Sequence, residues 1–165
     1  MPVGEIPIVE RIARELLRRL ESLINSAHHN ISAVEVFRPK RLETFSPRNR
    51  QVVLTDGSHV RVPELDCPGN PPALARRITF NIRCHLINDE KSCEPIDTLV
   101  HMFAADVENV VVDDDPQWYT FDGNSFDAVW GDEEYIAGDG AIDGVNVPIS
   151  ITYRHSEGNQ YEVRG

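Results

Sequence analysis

The sequence predicts an α+β fold, in which a mixed, mostly antiparallel β-sheet packs against two main α-helices. Apolar residues recur at three- and four-residue steps over residues 6–27 and 96–111, which indicates two amphipathic helices. Apolar and polar residues alternate over 78–87 and 145–153, which indicates half-buried strands. Two helices and several strands in a chain of 165 residues are typical of one α+β domain, here covering residues 1–165.

Short strands follow the first helix. One is predicted at 34–37, where apolar and polar residues alternate before Arg38-Pro39. Residues 52–54 and 60–62 are predicted to form a hairpin, because the Asp56-Gly57 pair between two apolar runs is a strong turn signal.

The rest of the chain combines one helix with a series of strands. Four prolines within 63–73 predict a loop before strand 78–87, and the acidic run 113–116 ends the second helix. Aromatic or β-branched runs predict three further strands, at 118–121, 126–130 and 135–137. Pro148 has no N–H group for a sheet ladder, which predicts that strand 145–153 lies at an edge or contains a bulge.

Charge is distributed unevenly along the chain, whose formal net charge is −11. The part up to Ile87 carries 13 basic and 9 acidic residues, whereas the remainder carries 3 basic and 18 acidic residues. A subunit with a basic side and an acidic side can pack head-to-tail against its own copies, and such heterologous contacts close into rings when the rotation permits. The overall acidity argues against a protein that binds nucleic acid by neutralising phosphates.

Basic residues concentrate in the predicted loop 38–50, which includes two prolines. This basic stretch is either a solvated loop or, as our hypothesis, a contact with an acidic neighbouring subunit or partner. The candidate contact residues are Arg38, Lys40, Arg41, Arg48 and Arg50.

The sequence contains no recognisable catalytic, cofactor or metal motif, so we expect no enzymatic activity and no cofactor. The acidic runs do not match the spacing of a calcium-binding loop, although a looser divalent-cation site on them stays open. The cysteines and histidines lack the spacing of a zinc site, and the odd count of three cysteines fits free thiols in a reducing compartment. No apolar run is long enough to cross a bilayer, and the N-terminus lacks the pattern of a signal peptide, so no membrane association is expected.

Three features together resemble the tail terminator proteins, also called tail completion or minor tail proteins, of long-tailed bacteriophages. The first is the opening helix that leads to Val34-Glu35-Val36-Phe37-Arg38-Pro39, and the second is strand 78–87 followed by the helix with Ile96-Asp97-Thr98-Leu99. The third is the C-terminal pattern of Val147, Ile149 and Ile151 before Tyr153-Arg154-His155 and Gly158-Asn159-Gln160-Tyr161. In this pattern, His155 replaces the threonine that is usual in the family, and Asn159-Gln160 replaces Asp-Pro.

This resemblance implies a single tail-terminator-like domain and a structural role in the virion, after synthesis in the host cytoplasm. The protein would form a homo-hexameric ring at the neck end of the tail. The implied partners are the tail tube protein, a head-side connector or stopper protein and, where the tail is contractile, the sheath protein. DNA would pass without tight binding, because carboxylates facing the lumen repel phosphates. The candidate lumen-facing or tube-facing residues are Asp113, Asp114, Asp115, Asp132, Glu133 and Glu134.

Three other classes of protein stay open from the sequence, one of which is an enzyme that uses carboxylates. Head-completion or stopper proteins of the neck are similar in size to tail terminators. An acidic binding module that mimics DNA would also explain the 18 carboxylates after Ile87.

Overall fold

The structure, a computed structural model, describes residues 5–24, 27–39, 46–87, 94–136 and 142–164. These described residues form two α-helices and seven β-strands, so the predicted α+β class with a mostly antiparallel sheet is confirmed. The helices are α1 (Ile8–Glu21) and α2 (Ile96–Val112). The strands are β1 (Glu35–Phe37), β2 (Gln51–Arg61), β3 (Ala73–Ile87), β4 (Asp127–Trp130), β5 (Glu134–Ile136), β6 (Ile142–Ser156) and β7 (Asn159–Val163).

The sheet is built around its two longest strands, β3 and β6, which pair along their full lengths of 15 residues. Strand order is β1-β2-β3-β6-β4, and β5 and β7 pair with other parts of the same outer side of β6. Only the β1–β2 pair among the described strands is parallel. The N-terminal strands therefore form one side of the sheet and the C-terminal strands the other.

One face of the sheet and both helices of the described chain enclose a hydrophobic core. Alternate residues of the long strands point to this face, as in Ile78, Phe80 and Ile82 of β3, and all three are buried. The helices contribute apolar stripes that include Leu16 and Phe103, which are completely buried. These two stripes hold α1 and α2 on the same side of the sheet.

The opposite face of the sheet is mainly polar in its central rows. Hydroxyls pair across the β3–β6 boundary, with 2.9 Å between Thr79 Oγ1 and Ser150 Oγ. In the next row Arg77 Nε donates to Thr152 Oγ1 at 3.1 Å. Such cross-strand pairs stabilise the sheet without an apolar layer on this face.

The predicted hairpin at Asp56-Gly57 is wrong, because β2 runs through these residues as one continuous strand. Between Asp56 and His59, β2 has one residue more than the facing part of β3, and a bulge accommodates it. A Cβ atom on Gly57 would lie 2.9 Å from Thr79 O and from Asn81 Nδ2, so the bulge requires a glycine at this close approach. The turn signal thus marks a bulge, which has similar residue preferences.

The edge or bulge predicted for Pro148 is also wrong, since β6 lies inside the sheet and pairs regularly with β3 through this residue. Pro148 is tolerated because β4 ends at Trp130 and β5 begins only at Glu134, so Pro148 faces a gap in the neighbouring strands. Gly131 N donates to Pro148 O at 2.8 Å in this gap. No strand of the described chain pairs with the outer side of β6 there, so the missing N–H of the proline leaves no ladder hydrogen bond unmade.

The strand predicted at 118–121 is wrong, because Trp118–Thr120 forms a 3₁₀ turn. The aromatic residues pack side by side there: Trp118 stacks on Trp130 with 6.0 Å between ring centroids, and the turn ends at the buried Phe121. Arg19 lies 4.7 Å above the ring of Phe121. The other predicted strands and both helices are present with shifted ends.

Two boundaries differ most from the sequence-based expectation. The first helix ends at Glu21 rather than near residue 27, and β3 begins at Ala73, inside the predicted loop. β7 was not predicted from the sequence. Among the described residues, no helix has the length and apolar character needed to span a membrane.

Candidate functional site

The five candidate basic contact residues divide into three groups in the structure. Lys40 and Arg41 lie outside the described residues. Arg48 and Arg50 lie in the exposed segment before β2, where Arg50 has a left-handed backbone (φ 54°) and its Nη1 lies 3.4 Å from Ser32 Oγ. Arg38 follows β1 and is turned toward its own chain.

Arg38 ties three elements together. Its Nη1 donates to Glu10 Oε2 of α1 at 2.7 Å, and its Nη2 contacts both carboxylate oxygens of Asp56 in β2 at 2.8 Å. Burial would raise the pKa of Glu10, but the hydrogen bonds and positive charges of Arg38 and Arg14 outweigh it and lower that pKa. This network borders an open groove of about 890 Å³ between α1 and β2, with Ala13, Leu17 and Leu54 in its wall.

Asp113, Asp114 and Asp115 cap the end of α2 and are exposed. Asp113 and Asp114 have left-handed backbones (φ 48° and 53°), and the N–H of Asp113 donates to Asn109 O at 2.8 Å. The C-terminal end of a helix carries partial negative charge, so carboxylates are unfavourable there. The carbonyl of Val111 in this last turn instead receives a hydrogen bond from Arg19 Nη1 at 2.8 Å.

Asp132, Glu133 and Glu134 lie between β4 and β5 and are also exposed. Glu133 Oε2 is 3.8 Å from His101 Nδ1 of α2. Burial and the charge of Glu133 raise the pKa of Glu108, so this acidic group lies alongside α2.

The acidic residues 113–115 and 132–134 therefore both lie beside α2, but they do not form one cluster. Asp132–Glu134 flanks His101 near the start of α2, while Asp113 lies at its end, about 18 Å further along the helix axis. Among the described residues, no group of three metal-ligating side chains is close enough to hold an ion.

The fold places charges of opposite sign on the two lateral edges of the sheet. We call residues 35–39 and 46–62, which form β1, β2 and their flanks, the basic edge; it carries four arginines and two carboxylates. We call residues 127–136, which form β4, β5 and their connection, the acidic edge; it carries four carboxylates and no lysine or arginine. β3 and β6 separate the two edges.

Each edge also exposes a valine that sequence reasoning did not single out. Val60 of β2 is 48% exposed and Val129 of β4 is 56% exposed. Each belongs to a strand whose outer side has no partner strand along that part within the described chain. The short alternating runs around both valines are the only sequence signal for them, and such runs do not distinguish an edge strand from a central one.

Partial or complete burial favours the neutral forms of Cys84, Tyr153 and His59. Burial raises the pKa of the Cys84 thiol, which keeps it protonated and unreactive at neutral pH. Burial raises the pKa of Tyr153 to about 12, and its hydroxyl lies 2.9 Å from Nε2 of His59. His59 has a lowered pKa, first because of burial and then because of the nearby charge of Arg76.

No protein-family model and no curated protein matches this sequence.

Proposed function

We infer that the protein is a structural virion protein, a tail terminator whose copies form a hexameric ring. The ring would cap the tail tube and join the tail to the head-side connector or stopper protein. The resemblance of the opening helix, of the segment around β1 and of the β6–β7 region to tail terminators supports this assignment.

The observation that carries the proposal is the opposite charge of the basic edge and the acidic edge. Because these edges lie on opposite sides of one sheet, a copy rotated about a ring axis presents its acidic edge to the basic edge of the next copy. Complementary potentials of this kind fix the orientation and register of neighbouring subunits. A ring of identical subunits requires such a pair of unlike flanks.

The carboxylates at the end of α2 support a role in contacts outside the subunit. Asp113 and Asp114 lie where the helix dipole disfavours negative charge, so their carboxylates do not stabilise α2 through the dipole, whereas Asp115 Oδ1 accepts a hydrogen bond from Gln117 N at 2.9 Å. We assign these residues, with Asp132, Glu133 and Glu134, to the lumen or to the surface that meets the tail tube. In the lumen they would repel passing DNA and keep its affinity low.

The experiment that tests the proposal is the mass of the assembled protein together with its position in the virion. Size-exclusion chromatography with light scattering should give about six times the chain mass of 18.6 kDa, alone or after addition of tail tubes. Electron microscopy of phage particles carrying a tagged copy should place the tag at the junction of tail and neck.

Other results would assign the protein to a different class. A tag on the head side of the junction would identify a head-completion or stopper protein. A monomer that binds basic DNA-binding proteins, and that is absent from virions, would identify an acidic DNA mimic and reject the ring.

A further inference from the structure

The outer side of β2 offers backbone hydrogen-bonding groups at two alternate residues. Val62 N donates to Ala75 O of β3. Because hydrogen-bonded pairs alternate along an antiparallel ladder, the backbone groups of Val60, two residues earlier, also point toward β3. The N–H and C=O groups of His59 and Arg61 consequently point away from β3. Residues 59–61 are exposed, and no strand of the described chain pairs with their outer side.

The outer side of β4 offers the matching pattern. Gly131 N donates to Pro148 O of β6, so the pair at Val129, two residues earlier, also bonds inward. The backbone groups of Ala128 and Trp130 therefore point away from β6. On each strand, two alternate residues thus point their backbone N–H and C=O groups outward with the same spacing. Two antiparallel strands need this arrangement in order to pair.

We propose that residues 59–61 of one copy pair with residues 128–130 of a second copy, so that the sheet continues from subunit to subunit. The strands have the required directions: β2, β3, β6 and β4 alternate, so β4 of the added copy runs antiparallel to β2. The helices of both copies then lie on the same side of the joined sheet.

The exposed valines select the register of this contact. Val60 shares a row with Arg77 and Thr152, and Val129 shares one with Ser150, so both valines lie on the sheet face opposite the helices. Pairing His59 with Trp130 and Arg61 with Ala128 sets Val60 directly against Val129. This register buries two of the most exposed apolar side chains of the sheet against each other.

Charge identifies a second copy of this chain as the occupant. In this register Arg61 lies beside Ala128 and next to Asp127, and over its whole length the basic edge carries four arginines and two carboxylates, whereas the acidic edge carries four carboxylates and no lysine or arginine. A symmetric contact between two basic edges or two acidic edges would bring like charges together. The contact is therefore heterologous, and it rests on the proposed function in that repeated use of it closes the ring.

Disulfide cross-linking between variants that each carry one introduced cysteine, with the native Cys84 left in place because it is completely buried, tests the register. In this register Val60 and Val129 form a pair whose Cα atoms lie about 4.5 Å apart, close enough for a disulfide. We expect a mixture of Val60→Cys and Val129→Cys chains, in a background with Cys67→Ser and Cys93→Ser, to form covalent dimers under mild oxidation. Neither variant should do so alone. A chain carrying both substitutions should give a ladder of covalent oligomers.

The matched control is Val34→Cys mixed with Val129→Cys, since Val34 is 55% exposed but lies outside β2. Equal cross-linking in the control, or efficient dimers from Val60→Cys alone, would overturn the proposed pairing. A hexamer by light scattering without the Val60–Val129 cross-link would keep the ring and reject this contact. A ladder of cross-linked chains that never closes would keep the contact and reject the ring.

A proline at Ala128 gives an independent test. The N–H of Ala128 points away from β6, so Ala128→Pro removes no hydrogen bond within the described chain but blocks pairing with the next copy. We expect at least a tenfold weaker association with an unchanged urea midpoint. Unchanged association would contradict the contact. Val129→Pro is the comparison, because it removes a β4–β6 bond and should lower the urea midpoint.

Discussion

The two lateral edges of the sheet differ in how their charges are used. On the basic edge, Arg38 is committed to Glu10 and Asp56, and Arg61 lies 2.7 Å from Asp66. On the acidic edge, Glu133 is the only described carboxylate with an ion-pair partner, His101 at 3.8 Å. Arg38 and Arg61 of the basic edge are thus paired with carboxylates, of which Glu10 and Asp66 lie outside that edge, whereas the carboxylates of the acidic edge are mostly without an ion-pair partner among the described residues. A contact between unlike edges therefore brings a surface whose charges are partly paired within the subunit against one on which only Glu133, among the described carboxylates, has such a partner.

Reversing the charge of the acidic edge should have the largest effect of the changes considered, and that effect is on self-association. We expect Asp132→Lys, Glu133→Lys and Glu134→Lys together to weaken self-association about 100-fold or more at low salt, because attraction becomes repulsion. The unfolding free energy should change by less than about 0.5 kcal/mol, since the three side chains are exposed. Light scattering over a range of salt concentrations and urea denaturation measure the two quantities.

The basic edge supplies the control for that experiment. Adding Arg48→Glu and Arg50→Glu to the reversed chain should restore part of the association, because the signs of both edges are then exchanged. If the triple lysine variant self-associates as strongly as the natural chain at low salt, the two edges do not meet.

Loss of Arg38 should affect stability rather than association. Arg38→Ala leaves Glu10 and Asp56 without their shared cation, and we expect a loss of about 1–2 kcal/mol in unfolding free energy. Arg14→Ala is the matched control, since Arg14 contacts the same Glu10 at 3.1 Å but its side chain is 61% exposed. That variant should lose less than about 0.5 kcal/mol. Equal losses in the two variants would show that Arg38 does not hold the basic edge together.

Acid should lower the stability of the fold by protonating carboxylates of α1, among them the Glu10 that pairs with Arg38. Glu10 has a lowered pKa in the folded chain, as does Glu15, whose hydrogen bond from Arg18 is the main cause. A lowered folded pKa gives stability that is complete above the unfolded pKa and is lost as pH falls through the folded value. The unfolding free energy should therefore decrease from about pH 5 to pH 3, and less steeply in Arg38→Ala. An identical slope in both chains would contradict the role of Arg38.

Local periodicity was sufficient to predict both helices and the long strands, because their buried residues repeat within a short window. It failed at Asp56-Gly57, where pairing with the distant Thr79 and Asn81 decides between a turn and a bulge. It also failed to show that Arg38 is paired, since Glu10 and Asp56 are 28 and 18 residues away.

The uneven distribution of charge along the chain was visible in the sequence, but the placement of these charges on opposite edges of the sheet was not. The division after Ile87 becomes a division between two edges only because the N-terminal strands precede β3 in the sheet and the C-terminal strands follow β6. A different strand order would have mixed the same charges. The exposed Val60 and Val129 depend on the same order, because it determines which strands have an unpaired side.

The smallest expected effect concerns the carboxylates beyond the acidic edge, at the end of α2. Asp114→Asn removes a negative charge beside the negative end of the helix dipole, and asparagine tolerates the left-handed backbone of this residue. We expect the unfolding free energy to rise by about 0.3–0.5 kcal/mol at low salt. Asp97→Asn, in the first turn of α2, should lower it by a similar amount, because a carboxylate is favourable there. Urea denaturation at low and high salt measures both. A loss of stability in Asp114→Asn would show that the acidic end serves the fold, whereas a gain accompanied by weaker tail joining would show that these charges are kept for a partner.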